Sequence, residues 1–259
     1  MESCFSFKKS IESILSQTFT DFEFLICDDG SSDNTYQILT EFAKIDSRIV
    51  LLKNEKNLGL AATLNRCIEE SRGKYIARHD CDDYACADRL EKQVRYLEEH
   101  PEVGMLGTAA FLFDESGVYD TVTFPRKVTN NDFLFNSPYQ HGSMVFRREA
   151  LTDAGGYTVS KVTRRTEDYE LFMRMQKTVK GENLPEPLYY FLEDEKALKR
   201  RKYRYRIDEA KVRYRGFKSL GLLPRGILYV IKPLIVGLIP MKLLAKMRKK
   251  RRAKQRKQN

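Results

Sequence analysis

Apolar residues recur along the first hundred positions in short blocks whose spacing alternates between helix and strand. Ile11, Ile14 and Leu15 share one helical face, so residues 8–17 read as the end of a helix. The run Phe22-Glu23-Phe24-Leu25-Ile26-Cys27 then reads as a buried strand. It ends in the polar turn Asp28-Asp29-Gly30-Ser31-Ser32-Asp33-Asn34, and Thr35 to Ile45 carries Ile38, Leu39, Phe42 and Ile45 at helical spacing. Ile49 to Leu52 is a second strand, residues 60–71 a second helix with Leu60, Leu64 and Ile68 in line, and Tyr75-Ile76-Ala77 a third strand running into Asp80-Cys81-Asp82-Asp83. Further on, the pattern predicts a helix near 88–99, strands near 103–113 and 143–147, and a helix beginning near Glu167. Strands alternating with helices of this length predict an α/β fold, a mixed and mainly parallel sheet flanked by helices. Ligands of such sheets bind beyond the carboxyl ends of the strands, and both acidic turns fall at those ends.

Composition adds a core and a charge division. At 259 residues with 42% hydrophobic content the chain is long enough for one large domain or two small ones. Five cysteines, an odd number without a CxxC pair, favour neither a disulfide framework nor a zinc site, and the opening residues show no basic region followed by a signal-length apolar run. A reducing cytoplasm is the compartment expected. Cys81 and Cys86 read as small buried hydrophobes. Residues 1–195 hold 23 Lys and Arg against 34 Asp and Glu, whereas residues 196–259 hold 23 against only Asp208 and Glu209. Two regions are therefore predicted: an acidic catalytic body, 1–195, and a basic amphipathic helical tail, 196–259, aimed at a polyanion.

Asp80 and Asp82 stand two apart at the end of a strand, and alternate strand residues share a face. Two such carboxylates suit a hard cation, Mg2+ or Mn2+, which completes its shell with water and substrate phosphates. The alternative is that these acids cap the helix starting near Asp88 or solvate a loop. Arg78 either offsets the crowded charge, contacts phosphate, or is a plain surface residue. His141, in His-Gly-Ser, has the composition of a substrate-side loop, although a single histidine is more often structural.

Several local patterns, in order, carry a resemblance. They are SIESILSQTFTDFEFLICDDGSSDNT, NLGLAATLNRCIEESRGKYIARHDCDDYACADRLEKQVRYLEEHPEVGMLGT, HGSMVFRREAL, and GGY followed by TEDYELFMRM. From Lys9 to about Arg174 the chain resembles the family 2 glycosyltransferases, which have the GT-A, nucleotide-diphospho-sugar transferase fold. The resemblance implies transfer of a sugar from a nucleotide-diphosphate donor to a lipid-linked or polysaccharide acceptor. It places Asp28 and Asp29 at the nucleoside, Asp80 near the ribose and diphosphate, Asp82 on the metal, and Asp168 as catalytic base. An inverting transfer needs one carboxylate to take the acceptor proton. Glu167 and Asp168 equally suit a helix N-terminus, where the dipole favours acids.

Family members begin with a buried strand and a loop at the base, and Met1 to Phe7 is too short for both. The expected consequence is a gap near the middle of the sheet, with unpaired backbone groups beside it and weak donor binding. A catalytically inactive subunit that keeps the fold as a binding module is the rival reading. In the tail, Gly226 to Met241 is too short and too interrupted by Lys232 and two prolines to span a bilayer. Flanked by Lys and Arg, with nine bases between Lys246 and Lys257, it reads as an in-plane anchor at an anionic membrane surface, which places the enzyme at the inner face of the cell membrane. Nucleic-acid binding, encouraged by the Tyr-Arg alternation at Tyr203 to Arg206, is disfavoured because it does not require the apolar run.

Overall fold

The computed structural model describes residues 2–193, 202–240 and 243, so Lys246 to Lys257 and the 195/196 boundary lie outside the described residues. Helix α1 (Glu2–Leu15) leads to β1 (Phe24–Asp28), α2 (Thr35–Ile45), β2 (Ile49–Lys53), α3 (Leu60–Glu70) and β3 (Tyr75–Ala77). After β4 (Tyr84–Ala85) come α4 (Arg89–Glu99), the long β5 (Val103–Asp114), β6 (Gly117–Val122), β7 (Val145–Arg147), α5 (Arg148–Asp153), α6 (Glu167–Met175) and β8 (Lys180–Leu192). Two more helices follow, α7 (Tyr203–Ser219) and α8 (Ile227–Leu238).

The strands form two sheets. β1 and β2 pair in parallel, Phe24 opposite Ile49 through Asp28 opposite Lys53. The other six strands run in the order β3-β7-β5-β8-β4, with β6 on the distal half of β5. Parallel pairing is confined to β1 with β2 and β5 with β8; the other four pairings are antiparallel. The fold is mixed, as expected; one parallel pairing lies in the first half, where α2 carries the crossover from β1 to β2, and the longer one joins β5 to β8 in the second half. Among the described residues, β1 pairs with β2 alone and β3 with β7 alone. The two sheets are therefore not joined by strand pairing among the described residues. Glu23 joins the two at their starts, accepting hydrogen bonds from the backbone N–H groups of Arg72 and Gly73.

Burial follows the same division. Ile11, Leu39 and Ile49 form a small core between α1, α2 and the two-stranded sheet. The main core gathers Met105, Phe133, Met144, Phe146, Leu151, Phe172 and Met175 with Val212, Phe217 and Val230 of α7 and α8. Leu97 of α4 packs on the other face of β5 with Val103, Leu106 and Val145. Met105 and Leu106 alternate onto opposite faces, and the register shift between Val103 and Met105 brings Val103 to the Leu106 side. The two C-terminal helices thus share the principal core, Arg213 reaching the Leu134 carbonyl at 3.1 Å and the Tyr169 hydroxyl at 3.4 Å.

Candidate active site

The Asp28-Asp29-Gly30 turn closes against the loop 54–59 that starts α3. Asp29 Oδ1 accepts from Asn54 Nδ2 and from the Leu58 N–H, each at 2.8 Å, and Oδ2 accepts from the Gly59 N–H at 2.9 Å. Burial alone would raise its pKa, but these donors hold the carboxyl below its ordinary value. Gly30, at φ 71°, lets the turn approach Lys56 and Asn57 so closely that a Cβ would lie 2.8 Å from the Lys56 carbonyl carbon. Asp28 is buried, and its Oδ2 lacks a hydrogen-bond partner within the chain. Asp29 therefore shapes the turn, and Asp28 offers an unspent acceptor beside it.

The second acidic segment differs from its expected geometry. β3 ends at Ala77, and Asp80 to Asp83 form a turn closed by the Asp83 N–H on the Asp80 carbonyl at 3.2 Å. Asp80 and Asp82 consequently do not share a strand face. Asp80 is drawn inward, its amide donating to the Tyr189 hydroxyl at 3.1 Å and its carboxylate paired with the Arg78 guanidinium. Burial is the largest single influence on the Asp80 pKa and raises it, but Arg78, His141, His79 and Arg89 together hold the carboxyl below the usual range. Asp82 is exposed. Asp83 is buried, accepts from the Leu192 N–H at 2.8 Å, and is pushed up to about 8 by burial and then by the Asp80 charge.

Arg78 is mostly buried, which removes the plain-surface alternative: it offsets the acidic turn and donates to the His79 carbonyl at 2.6 Å. Its Nε is buried without a partner. Beneath it lies Arg89, which the sequence reading did not single out. Arg89 is fully buried, donates to the Arg78 carbonyl at 2.7 Å and to Gln93 Oε1 at 3.0 Å, and lies 5.2 Å from the Tyr189 ring centre. Its one signal in the sequence is helical register, since Arg89, Gln93 and Leu97 occupy successive turns of one face. Cys81 is exposed and Cys86 half-buried, so neither is the buried hydrophobe expected. Both follow the turn geometry, which lifts residues 81 and 82 outward.

His141 and Tyr157 complete the far wall. Gly155 and Gly156, both at positive φ, end α5 and swing the chain back so that Asn65 clamps Tyr157 by two bonds of 2.8 Å. Tyr157 Oη then meets His141 Nε2 at 2.8 Å. Burial, followed by the Arg78 charge, lowers the His141 pKa to about 4, so the imidazole is neutral. Gly142 is required beside it because a Cβ there would collide with the Tyr189 hydroxyl. Asp168 sits in the first turn of α6. Burial and the neighbouring Glu167 charge push it up to about 6 against the helix N–H groups, and the Asp80 charge reaches it too. Arg78, Asp80, His141, Tyr157, Glu167 and Asp168 thus form one electrostatically linked group, while Asp28 and Asp29 line a separate turn.

A metal would meet hard oxygen ligands at Asp80 and Asp82. No group of three or more His, Cys, Asp or Glu side chains among the described residues is arranged as a ready cage.

Residues 6–155 match the profile of Glycosyl transferase family 2. EpsE of Bacillus subtilis (strain 168), designated a glycosyltransferase, is 39% identical over 245 residues, 94% of this chain and 88% of its own. WfgD of Escherichia coli, a UDP-Glc:alpha-D-GlcNAc-diphosphoundecaprenol beta-1,3-glucosyltransferase, is 36% identical over 65% of this chain and 63% of its own. Among solved structures, Staphylococcus aureus TarS 1–349 with UDP-GlcNAc superposes with a TM-score of 0.68 at 18% identity, over 91% of this chain and 68% of that one. The mannosyltransferase PcManGT of Pyrobaculum calidifontis, with GDP-Man and Mn2+, gives 0.60 at 17% identity over 93% and 75%. The chain belongs to glycosyl transferase family 2, and it is a glycosyltransferase with the GT-A fold.

Proposed function

We propose that the protein transfers one sugar, with inversion, from a nucleoside-diphosphate donor to a lipid-linked or polysaccharide acceptor in cell-surface polysaccharide synthesis, with Mg2+ or Mn2+ as cofactor. The observation that carries this is Asp168, half-buried in the first turn of α6, raised to about 6 and electrostatically linked to Asp80. A carboxylate so placed takes the proton of an acceptor hydroxyl as it attacks the anomeric carbon. Arg78, with a free Nε, and Asp80 orient the ribose-diphosphate region, and the unspent Asp28 oxygen accepts from the nucleoside. Asp82 with Asp80 would hold the cation, which would supply charge stabilisation for the departing diphosphate. Neutral His141 and Tyr157 exclude water behind the reacting centre. Bound UDP-GlcNAc in TarS, GDP-Man with Mn2+ in PcManGT, and the diphosphoundecaprenol acceptor in the name of WfgD support the same reading.

Release of nucleoside diphosphate from a panel of nucleotide sugars, with and without Mn2+, tests it. Turnover is expected to need the metal and to be lost in Asp82→Ala. Asp168→Ala is expected to lose transfer while still binding donor. A second reading, a binding subunit without turnover, is favoured by β1, which leads into the nucleoside turn and pairs with β2 alone among the described residues. Donor binding with no metal-dependent turnover on any acceptor would select it.

A further inference from the structure

Helix α1 carries a polar stripe beside its apolar one. Ile11 packs into the small core against Leu39 and Ile49. Ser10 and Ser13, with Gln17 two residues past the helix end, recur at spacings of three and four and so fall along one side. Ser10 and Gln17 are exposed by only 2% and 4%, as deeply buried as Ile11 at 3%. Polar side chains so deep must be spent on hydrogen bonds, and every partner this stripe has outside α1 lies between residues 79 and 90.

Those contacts bracket the acidic turn. At its start, Ser10 Oγ meets His79 Nε2 at 2.9 Å and donates to the Asp80 carbonyl at 3.1 Å. Beyond its end, Ser13 Oγ accepts from the Ala85 N–H at 3.2 Å, and Gln17 Nε2 donates to the Cys86 carbonyl at 2.7 Å. Gln17 Oε1 also accepts from the Leu90 N–H at 3.0 Å, which occupies one of the free donors in the first turn of α4. That turn carries Arg89, whose bond to the Arg78 carbonyl fixes the approach to Asp80. β8 holds the same segment from its other side, through the Tyr189 hydroxyl on the Asp80 N–H and the Leu188 carbonyl, which accepts from the Cys86 N–H at 3.0 Å. Between Asp80 and the buried Asp83, Cys81 and Asp82 stand exposed. Three acids within four residues repel one another, so their placement depends on main-chain anchors of this kind.

We propose that Ser10 and Gln17 are positioning residues of the transferase, which set where the Asp80 and Asp82 carboxylates stand against the donor diphosphate by holding the main chain at Asp80, Cys86 and Leu90. This rests on the assignment of those two acids to the donor in the transferase reading above. Both residues act through the backbone of the turn. A displacement of about 1 Å transmitted to a reacting group is enough to cost on the order of a hundredfold in rate.

Steady-state kinetics on the nucleotide-sugar panel, together with amide exchange of the 79–87 peptide, test this in the full chain carrying Ser10→Ala or Gln17→Ala. Ile11→Val, an equally buried α1 substitution directed at the small core, is the control. All three are expected to lower Tm by roughly 2–8 °C, the scale of one hydrogen bond or one methylene. Ser10→Ala and Gln17→Ala are expected to lower kcat about tenfold or more with acceptor KM unchanged, and to speed exchange in 79–87 about tenfold, whereas Ile11→Val does neither. A kcat within twofold of the unsubstituted chain in both variants, or unchanged exchange in 79–87, overturns the proposal. So does an equal loss of kcat in Ile11→Val, which would reduce the stripe to a contribution to stability. An unsubstituted chain that turns over no donor would sink the transferase reading, and the exchange of 79–87 would still decide whether α1 sets the turn.

Discussion

Asp168 shows how one side chain is tuned by its surroundings. Its carboxyl is raised to about 6 by burial, so at lower pH it is protonated and unable to accept a proton. Transfer is expected to rise tenfold per pH unit up to about 6 and to level off above it, as measured by kcat/KM against pH. Asp168→Asn should lose about 10²–10⁴ of the rate at pH 8. The stability sign is opposite. A folded pKa above the unfolded one means the fold holds the proton more tightly, so stability from this group is present below the unfolded value near 3.8 and is lost as pH rises to about 6. Asp168→Asn is therefore expected to gain on the order of 1–3 kcal/mol at pH 8 and little at pH 4, read as the difference in Tm. A neighbouring position tests packing: Gly142→Ala drives a methyl into the Tyr189 hydroxyl and should cost about 1–3 kcal/mol in chemical denaturation. Asp28, Asp80 and Asp168 were legible in the sequence because acids clustered at strand ends and a helix start are chemically conspicuous. Arg89 and the His141–Tyr157 pair were not. Their meaning comes from long-range packing, Asn65 on Tyr157 and Tyr189 over Arg89, which no local window contains.

Elements with a strong period were readable at sequence level. Helix α2 spans Thr35–Ile45 as expected, and β5 matches its predicted strand to within a residue at its end. The two-residue β4, the six-residue α5 and the hairpin partner β6 were missed because each is too short to establish a period. Residues 2–7 could not be read as strand, and they are the first turns of α1. The two sheets differ in burial. Leu25, Ile26 and Cys27 are only half-buried, whereas Met105, Leu106, Ala109 and Ala110 of β5, flanked on both edges, are fully buried. β1 and β3 each pair with a strand on one side alone among the described residues, and local opening there exposes little apolar area. Amide exchange of Leu25 to Cys27 and of Ile76 is expected to be at least a hundredfold faster than that of β5 and β8 under native conditions. Equal protection in the two sheets would show that the edges are covered.

At the scale of the whole molecule, the acidic body and basic C-terminal region do not act as separate parts. α7, α8 and the connector between them contribute Val212, Phe217, Leu222 and Val230 to the principal core, so removing everything after Phe191 would expose that core and give no clean test of membrane contact. The structure supplies a better one. No helix among the described residues is long and apolar enough to cross a membrane, yet α8 exposes Leu228 and Leu238, each at 73%, together with Ile231 and Ile235. These positions follow one helical face, and bases such as Lys211 and Arg215 stand nearby on α7. A helix that keeps one apolar face on the core and presents another outward is suited to lie in the interfacial plane, where lost apolar exposure and attraction to anionic lipid add. The full chain is expected to float with vesicles containing phosphatidylglycerol and to be released as salt is raised, because the attraction of surface bases is screened within about 10 Å at 0.1 M. Leu228→Asp with Leu238→Asp should reduce flotation at least tenfold at low salt while leaving the thermal transition in place, since both side chains are already in water. Flotation that survives the double substitution but not salt would assign the contact to charge alone, and flotation indifferent to both would remove α8 from the membrane contact.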